Sequence, residues 1–552
     1  MPHIITQSCC SDGSCVYACP VNCIHPSPDE PEFASAEMLY VDPDACVDCG
    51  ACVSACPVGA IVPDSKLVPE QLPFIPLNRA YYPDRHGQKV PPTSKLAPVP
   101  PAPEIQRGGM PLTVAIVGSG PAAMYAADEL LTQHGVRVNV FEKLPTPYGL
   151  VRAGVAPDHP HTKKVTKLFD TIANEAGFTF YLNVEVGKHV SHAELLQHHH
   201  AVLYAVGAPH DRRLDIDGMD NVGVHTATEL VAWYNGHPDF VDLPVDLSCE
   251  RVVLVGNGNV AMDVARILTA DADELARTDI ADHALAVLRE SKVREVIVAA
   301  RRGPADSAFT LPELIGLTAH RSVVLDEYAQ GLVREDLAGE HDELTRNKLD
   351  ILATLSDADG DERRIRLAYR LTPKRVVGDG RVQAVEFVRT GTEETHRFEA
   401  GLLATSIGYH GRAVPDLPFD EKAGVVPNDD GRVTDCPGTY VAGWIKRGPT
   451  GFIGTNKSCA QHTVHQLVED FNSGALADPA HRHRSELQRL ARERQPQLVD
   501  LAGWHAIDAA EIARGAGVRP RDKFTRIAPM LAVAATAPRP TWRDRLREAI
   551  TV

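Results

Sequence analysis

The run Cys46-Val-Asp-Cys49-Gly-Ala-Cys52-Val-Ser-Ala-Cys56-Pro57 constrains this chain more than any other stretch. A C-x2-C-x2-C-x3-C-P spacing lets three thiolates hold one cubane iron-sulfur cluster and sends the fourth towards a second cluster. Structural zinc usually takes its four ligands from two separated C-x2-C pairs, which leaves zinc a minor alternative. Cysteine placement agrees: nine of the twelve precede residue 57, and only Cys249, Cys436 and Cys459 follow. A disulfide framework would spread them; a cofactor module concentrates them.

Laid on itself at an offset of 37 residues, the start of the chain pairs Cys9 with Cys46, Cys15 with Cys52, Cys19 with Cys56 and Pro20 with Pro57. Two copies exchanging ligands crosswise would join Cys19 to Cys46, Cys49 and Cys52, and Cys56 to Cys9 and Cys15. Cys49 falls opposite Asp12, so the first site has only three cysteines in register. Two readings stay open. One is a three-iron (3Fe-4S) cluster with Asp12 as a non-ligand; the other is a 4Fe-4S cluster whose fourth ligand is the Asp12 carboxylate or, after a loop shift, Cys10. The preference of cluster iron for thiolate favours the three-iron form. Cys10 and Cys23, opposite Val47 and Ala60, are expected to be small buried apolar residues.

A chain of 552 residues predicts roughly three to four domains. The iron-sulfur module spans residues 1–66 and a proline-rich linker 67–110. A first dinucleotide domain takes 111–210, a second 211–400, and 401–552 returns to the first and ends in a helical tail. Pro91-Pro92, Pro98, Pro100-Pro101 and Pro103 make the linker extended and semi-rigid. The apolar residues over 72–77 and Tyr81-Tyr82 are expected to pack on a neighbouring domain, which reduces the true linker to about residues 88–109.

Residues 112–117 read as a buried strand that runs into Gly118-Ser-Gly120-Pro121-Ala122-Ala123 and a helix; the next strand ends at Glu142. Backbone amides at such a helix N-terminus face a pyrophosphate, and an acid after the second strand accepts from a ribose 2'-hydroxyl, which predicts FAD or NAD. A second unit has a strand over 251–255, the turn Gly256-Asn257-Gly258-Asn259-Val260, and a following strand that ends in Arg301-Arg302. Two guanidinium groups there suit a 2'-phosphate, hence NADP. Strands 201–207 and 402–408 end in small residues and read as crossings between the two domains. Gly443-Trp444 and the glycine-rich stretch through Gly451-Phe452-Ile453 would let backbone approach a planar ring. His198-His199-His200 is read as surface, because consecutive residues cannot all face one metal.

The net charge of -17 argues against nucleic acid and anionic membrane as partners. No run of eighteen apolar residues and no signal-peptide pattern occurs, so a cytoplasmic protein is expected, as a monomer or weak oligomer.

From about residue 112 onwards the chain resembles the adrenodoxin-reductase-like ferredoxin-NADP reductases, and its first sixty or so residues resemble a bacterial two-cluster ferredoxin. Taken whole, it is similar to the fused ferredoxin/ferredoxin-NADP reductase family. The resemblance is carried by residues 118–123, 145–159, 256–263, 301–303, 310–314 and 443–454. It implies an α+β ferredoxin module followed by an α/β two-dinucleotide-binding (Rossmann-like) flavoprotein with FAD and NADP domains. It implies FAD contacts from Ala123, Glu142, Leu150 and the strand around Val186. For NADP(H) it implies Asn257, Gly258, Asn259, Val260, Arg301, Arg302, Glu313 and, more weakly, Arg212. Trp444 and Gly451 to Ile453 would flank the flavin where the nicotinamide docks. His159 and Asp263 match positions near the flavin ring and are the catalytic-site candidates; otherwise they are a loop histidine and a first-turn acid favoured by the helix dipole. The expected activity takes hydride from NADPH to flavin and single electrons to the clusters, then to a ferredoxin or haem enzyme. An electron-input subunit of a larger flavoenzyme and a redox-sensing binding protein are the alternatives. A disulfide reductase would need a redox cysteine pair, and no cysteine lies between Cys56 and Cys249.

Overall fold

The computed structural model describes residues 2–83, 96–99, 101–356, 363–515 and 517–538. In the N-terminal module His3–Ile5 lies antiparallel to Ile61–Pro63, and Ile24–His25 to Tyr40–Val41. Two short helices, Ser14–Ala18 and Ala51–Ala55, reproduce the sequence repeat in their backbone angles. Gly13 and Gly50 open them at φ 73° and 75°, and Cys19 and Cys56 close them, both at ψ 114°. A positive φ suits glycine because there is no Cβ to clash.

Phe74–Ala80 is a helix of this module's core, so this part of the expected linker is built into the ferredoxin fold. Its Asn78 carbonyl accepts from the amides of Ile5 at 3.2 Å and Val41 at 2.9 Å, and its amide donates to the carbonyl of Ile5 at 2.9 Å. One buried side chain thereby satisfies backbone groups of both strand pairs. Tyr82 adds a hydroxyl bond of 2.6 Å to the Tyr40 carbonyl. Pro91-Pro92 and Pro100 of the linker lie outside the described residues. Beyond them, Asn472 of the reductase accepts from the Gln106 amide at 2.8 Å and donates to the Glu104 carbonyl at 2.8 Å.

The first dinucleotide domain holds a seven-stranded sheet in which four parallel strands run to one edge, in the order Ala201–Tyr204, Thr113–Val117, Arg137–Glu142, Phe178–Leu182. Thr439–Val441 joins them parallel to Ala201–Tyr204. Val114, Ala115 and Ile116 are each fully buried, the apolar run expected of a parallel strand covered on both faces. The second sheet is parallel throughout, in the order Val224–Thr226, Leu402–Thr405, Arg251–Val255, Glu295–Ala299, Arg364–Ala368, Ser322–Val324. Leu402–Thr405 pairs on both sides within it, so the chain leaves this sheet after Thr405, one strand later than the boundary at residue 400. The two crossings between the domains lie side by side: His210–Asp211 pairs antiparallel with Tyr409–His410.

The ferredoxin module shares a core with both reductase domains. Cys10, Val58 and Ala60 are buried among residues of the first sheet's core, while Leu311 and Ile315 of the second domain are buried among those of the module. The histidine triplet departs from its expected surface position: His198, His199 and His200 are 8 %, 1 % and 2 % exposed. Helix His192–His198 ends there and turns into the strand Ala201–Tyr204, so the imidazoles close the lower edge of the sheet. His200 accepts from the Thr113 amide at 3.1 Å, and burial holds His199 neutral, its pKa pushed down to about 3. Among the described residues no helix is long and apolar enough to cross a membrane. The C-terminal residues 539–552, where the sequence suggests an amphipathic tail, lie outside the described residues.

Candidate cofactor and cluster sites

The first turn is tight for a steric reason. Gly118 sits at φ 100°, and a Cβ there would stand 2.5 Å from the Ala205 carbonyl oxygen of the neighbouring strand. Gly120 then caps the helix Pro121–Leu131, with Pro121 at the position that needs no backbone donor. Ala122 and Ala123 are buried in its first turn, and a Cβ on Gly443 would come 2.7 Å from that of Ala122. The glycine turns at 118–120 and 443 therefore lie together. Glu142 ends its strand beside them, accepting from Ser119 Oγ at 2.7 Å and the Leu144 amide at 3.1 Å; burial raises its carboxyl above the usual range. Leu150, on the short helix Gly149–Ala153 that packs on Gly120, is 44 % exposed. Val186 is half-buried further along the same side, bridged to Val190.

Gly256 repeats the logic of Gly118: φ is 109°, and a Cβ would lie 2.1 Å from the Ser406 carbonyl oxygen. Gly258 caps Asn259–Thr269, whose second residue is Val260. Asn259 accepts from the Thr310 amide at 2.8 Å and donates to its hydroxyl at 3.2 Å, which fixes the loop before the helix Leu311–His320. The Asn257 amide nitrogen is buried without a hydrogen-bond partner. Arg301 and Arg302 are exposed just beyond the strand Glu295–Ala299. An orphaned amide and two exposed guanidinium groups, of which Arg302 stands 3.5 Å from the Asp306 carboxylate, fit a phosphorylated ribose. Arg212 is exposed at the crossing, its backbone amide bonded to the Gly408 carbonyl at 3.0 Å.

His159, Asp263 and Glu313 come from three separate elements to within 4.8 Å of one another. The trio resembles a metal site, but a guanidinium already serves it: Arg266, itself 4 % exposed, pairs with Asp158 at 2.7 Å and with both Asp263 and Glu313. Burial pushes Asp263 up to about 6, opposed by Arg266. Against its own burial, Asp158 is held down at about 2 by the same guanidinium. His159 Nδ1 stands 3.8 Å from Asp263. Arg266 and Asp158 escape a reading of the sequence, although Arg266 lies one helical turn after Asp263 and Asp158 immediately precedes His159.

Trp444 follows Gly443, its ring 5.0 Å from that of Tyr409 and its indole N–H bonded to the Thr450 carbonyl at 3.1 Å. Gly451 at φ 82°, Phe452 and Ile453 then lead into the helix Thr455–Ser473. The Phe452 carbonyl accepts from Thr455 Oγ1 at 2.7 Å and Asn456 Nδ2 at 3.0 Å, which fixes the turn. One guanidinium nitrogen of Arg447 is buried beside it without a partner.

The cysteines fall into two groups. Cys19, Cys46, Cys49 and Cys52 line one small cavity with Val21, Ile24 and Val41. Cys23 lines it as well, with its sulfur 3.4 Å from that of Cys19. Hydrogen bonding from Cys23 lowers Cys19 to about 6 and Cys46 to about 5. Cys23 is buried, as its reading as a small apolar residue expects, and its thiol also lies within hydrogen-bond distance of Cys19, four residues before it. Cys9, Cys15 and Cys56 form the other group, close enough to repel one another's negative charge, with Asp12 among them. Burial raises Cys9 to about 11 and raises Cys15 and Cys56 as well, and a metal bound to such thiols displaces their protons. The sulfur donor sets and apolar walls fit iron-sulfur clusters.

In chain order the second group, Cys19, Cys46, Cys49 and Cys52, opens to solvent at Cys49, beside the exposed Val47 and Val53. The first, Cys9, Cys15 and Cys56, abuts the reductase. The Gly454 amide donates to the Cys10 carbonyl at 2.8 Å, and a Cβ on Gly454 would stand 2.2 Å from the Asp12 nitrogen. Lys457, one turn into the same helix, donates to Ser14 Oγ at 2.9 Å, and Ser14 donates to the Asp12 carboxylate. On the other side, Glu37 accepts from the Leu311 amide at 2.7 Å and Lys348 Nζ at 2.6 Å.

Residues 112–302 match the family model described as pyridine nucleotide-disulphide oxidoreductase, and residues 39–62 match the 4Fe-4S binding domain. Over 559 aligned residues the chain is 67 % identical to the "Probable ferredoxin/ferredoxin--NADP reductase" of Mycobacterium tuberculosis, covering 99 % of this chain and 97 % of that one. The Mycobacterium leprae protein of the same name is also 67 % identical, over 98 % of this chain and 99 % of its own. The structure of Mycobacterium tuberculosis FprA in complex with NADPH is similar at a TM-score of 0.73 and 41 % identity, covering 77 % of this chain and 100 % of that chain. An α+β ferredoxin module fused to a two-dinucleotide flavoprotein, matched over nearly its full length by the two reductases of Mycobacterium tuberculosis and Mycobacterium leprae, places the chain in the ferredoxin/ferredoxin-NADP reductase family.

Proposed function

We propose that this chain exchanges electrons between NADPH and one-electron acceptors of the ferredoxin or haem type, with its own ferredoxin module as the outlet. The observation that carries the reading is the contact of Gly454 with the Cys10 to Asp12 loop, which sets the first cysteine group against the turn beside the flavin site. Bound FAD supplies the conversion between two-electron hydride chemistry and one-electron transfer, and the clusters hold single electrons. The chain's own residues bind and orient. Gly118, Gly120, Ala123, Glu142, Leu150 and Val186 hold FAD; Asn257 to Val260, Arg301, Arg302, Glu313 and, more weakly, Arg212 hold NADP(H). Arg266 fixes Asp263, Asp158 and Glu313 around His159, so that the junction between the two sites keeps one charge arrangement. Trp444 and residues 451–453 cover the ring and exclude water.

Cys19, Cys46, Cys49 and Cys52 are assigned a 4Fe-4S cluster, and Cys9, Cys15 and Cys56 a three-iron cluster. One fact supports the latter: the Asp12 carboxylate is engaged by Ser14 under Lys457. The protein acts in the cytoplasm as a monomer or weak oligomer, on protein acceptors rather than nucleic acid or membrane. Anaerobic redox titration followed by EPR tests the assignment. Protein as isolated gives an oxidised three-iron signal, and NADPH supports ferricyanide and cytochrome c reduction. Loss of either result contradicts the corresponding part of the reading.

A further inference from the structure

At the lower edge of the first sheet, away from the glycine turns, lies a cavity of about 570 Å³. Its walls include the starts of the strands Thr113–Val117, Arg137–Glu142 and Phe178–Leu182, the segment from Pro479 and the first turn of the helix Arg484–Arg494. Cofactors of parallel α/β sheets sit at the opposite, carboxyl ends of the strands, so this space is not part of the sites described above. Its volume falls within the range of small-molecule sites, about 300 to 1,000 Å³.

The lining is cationic in a chain whose net charge is -17. Arg137, Arg482, Arg484, His198, His481 and His483 contribute, and no carboxylate does. Two acids pair with residues of this wall. Asp478 is 2.8 Å from Arg107 and 3.8 Å from Arg482, and Glu486 is 3.7 Å from His481. Two buried nitrogens lack a partner, the Nε donor of Arg137 and the ring nitrogen Nδ1 of His198, which donates in the tautomer that carries its proton there. His198 is 8 % exposed and stacks on His481 with ring centroids 4.8 Å apart. A buried unsatisfied donor costs free energy unless a bound group completes it. Met110, Pro111 and Leu487 give the cavity an apolar wall beside these donors.

We propose that this cavity binds a small molecule carrying a diphosphate or triphosphate group, which Arg137, Arg482 and Arg484 neutralise while His198 donates a hydrogen bond. Guanidinium groups grip phosphate oxygens in pairs, and the lining has no carboxylate with which to balance a cationic ligand.

Calorimetric titration of the holoenzyme tests this, with NADP+ present at saturation so that the nucleotide site is closed. ADP and inorganic pyrophosphate are the probes. Each binds with one site per chain, and each is weakened about tenfold by Arg137→Gln and by His198→Gln. Tighter binding of ADP assigns the apolar wall to the base; equal binding assigns the site to phosphate alone, and both results support the proposal. Arg482→Gln, at a side chain 58 % exposed, gives the same loss without threatening the fold. Flavin absorbance and NADPH-dependent ferricyanide reduction stay unchanged in all three. Absence of binding by both probes, or binding equal to wild type in the variants, overturns the proposal.

Discussion

Asp12 shows how one side chain decides what its site can hold. It occupies the repeat position of Cys49, and Ser14, itself reached by Lys457, holds its carboxylate. Asp12→Cys therefore supplies the missing thiolate, and EPR of the purified variant is expected to lose the oxidised three-iron signal and gain a reducible four-iron one. Cys23 acts on the other site. Hydrogen bonds to cluster sulfur raise the potential, so Cys23→Ala is expected to lower the potential of the Cys19, Cys46, Cys49, Cys52 cluster by roughly tens of millivolts; a redox titration should leave the other cluster unmoved. At the junction, Asp263 with a pKa of about 6 is ionised above that pH and pairs with Arg266. As pH falls through about 6 it is protonated and gives up that pair. The rate of flavin reduction by NADPH is expected to drop over this window, and Asp263→Asn should remove the inflection from the stopped-flow pH profile.

At the level of elements, the helix Thr455–Ser473 joins the two halves of the machine, because its first turn faces the flavin side and the ferredoxin loop at once. Gly454→Val would drive a side chain into the Asp12 backbone, where a Cβ meets nitrogen at 2.2 Å. Stopped-flow absorbance is expected to show flavin reduction by NADPH unchanged and cluster reduction slowed by about tenfold or more. The glycine turns at Gly118 and Gly256 were legible in the sequence because strand, turn and helix are contiguous there and their spacing is local. The cysteine repeat was legible for the same reason, down to the matched angles of Gly13 and Gly50. The seat of the helix Phe74–Ala80 in the module's own core and the burial of the histidine triplet were not. Each depends on which distant surface a segment meets, and neither composition nor periodicity encodes that: Asn78 reaches Ile5 and Val41, and His200 reaches Thr113.

Across the whole molecule, the ferredoxin module is seated rather than trailing on a proline arm. It shares core residues with both reductase domains and is tied by Glu37 to Lys348 and by Ser14 to Lys457. The first cysteine group lies inboard against the flavin-side turn, and the second opens outward at Cys49. That order is the central claim, and rapid-freeze-quench EPR after mixing the oxidised protein with one equivalent of NADPH tests it most directly. The account predicts that the oxidised three-iron signal decays first, before any reduced four-iron signal appears. A reduced four-iron signal that grows while the three-iron signal persists would contradict it.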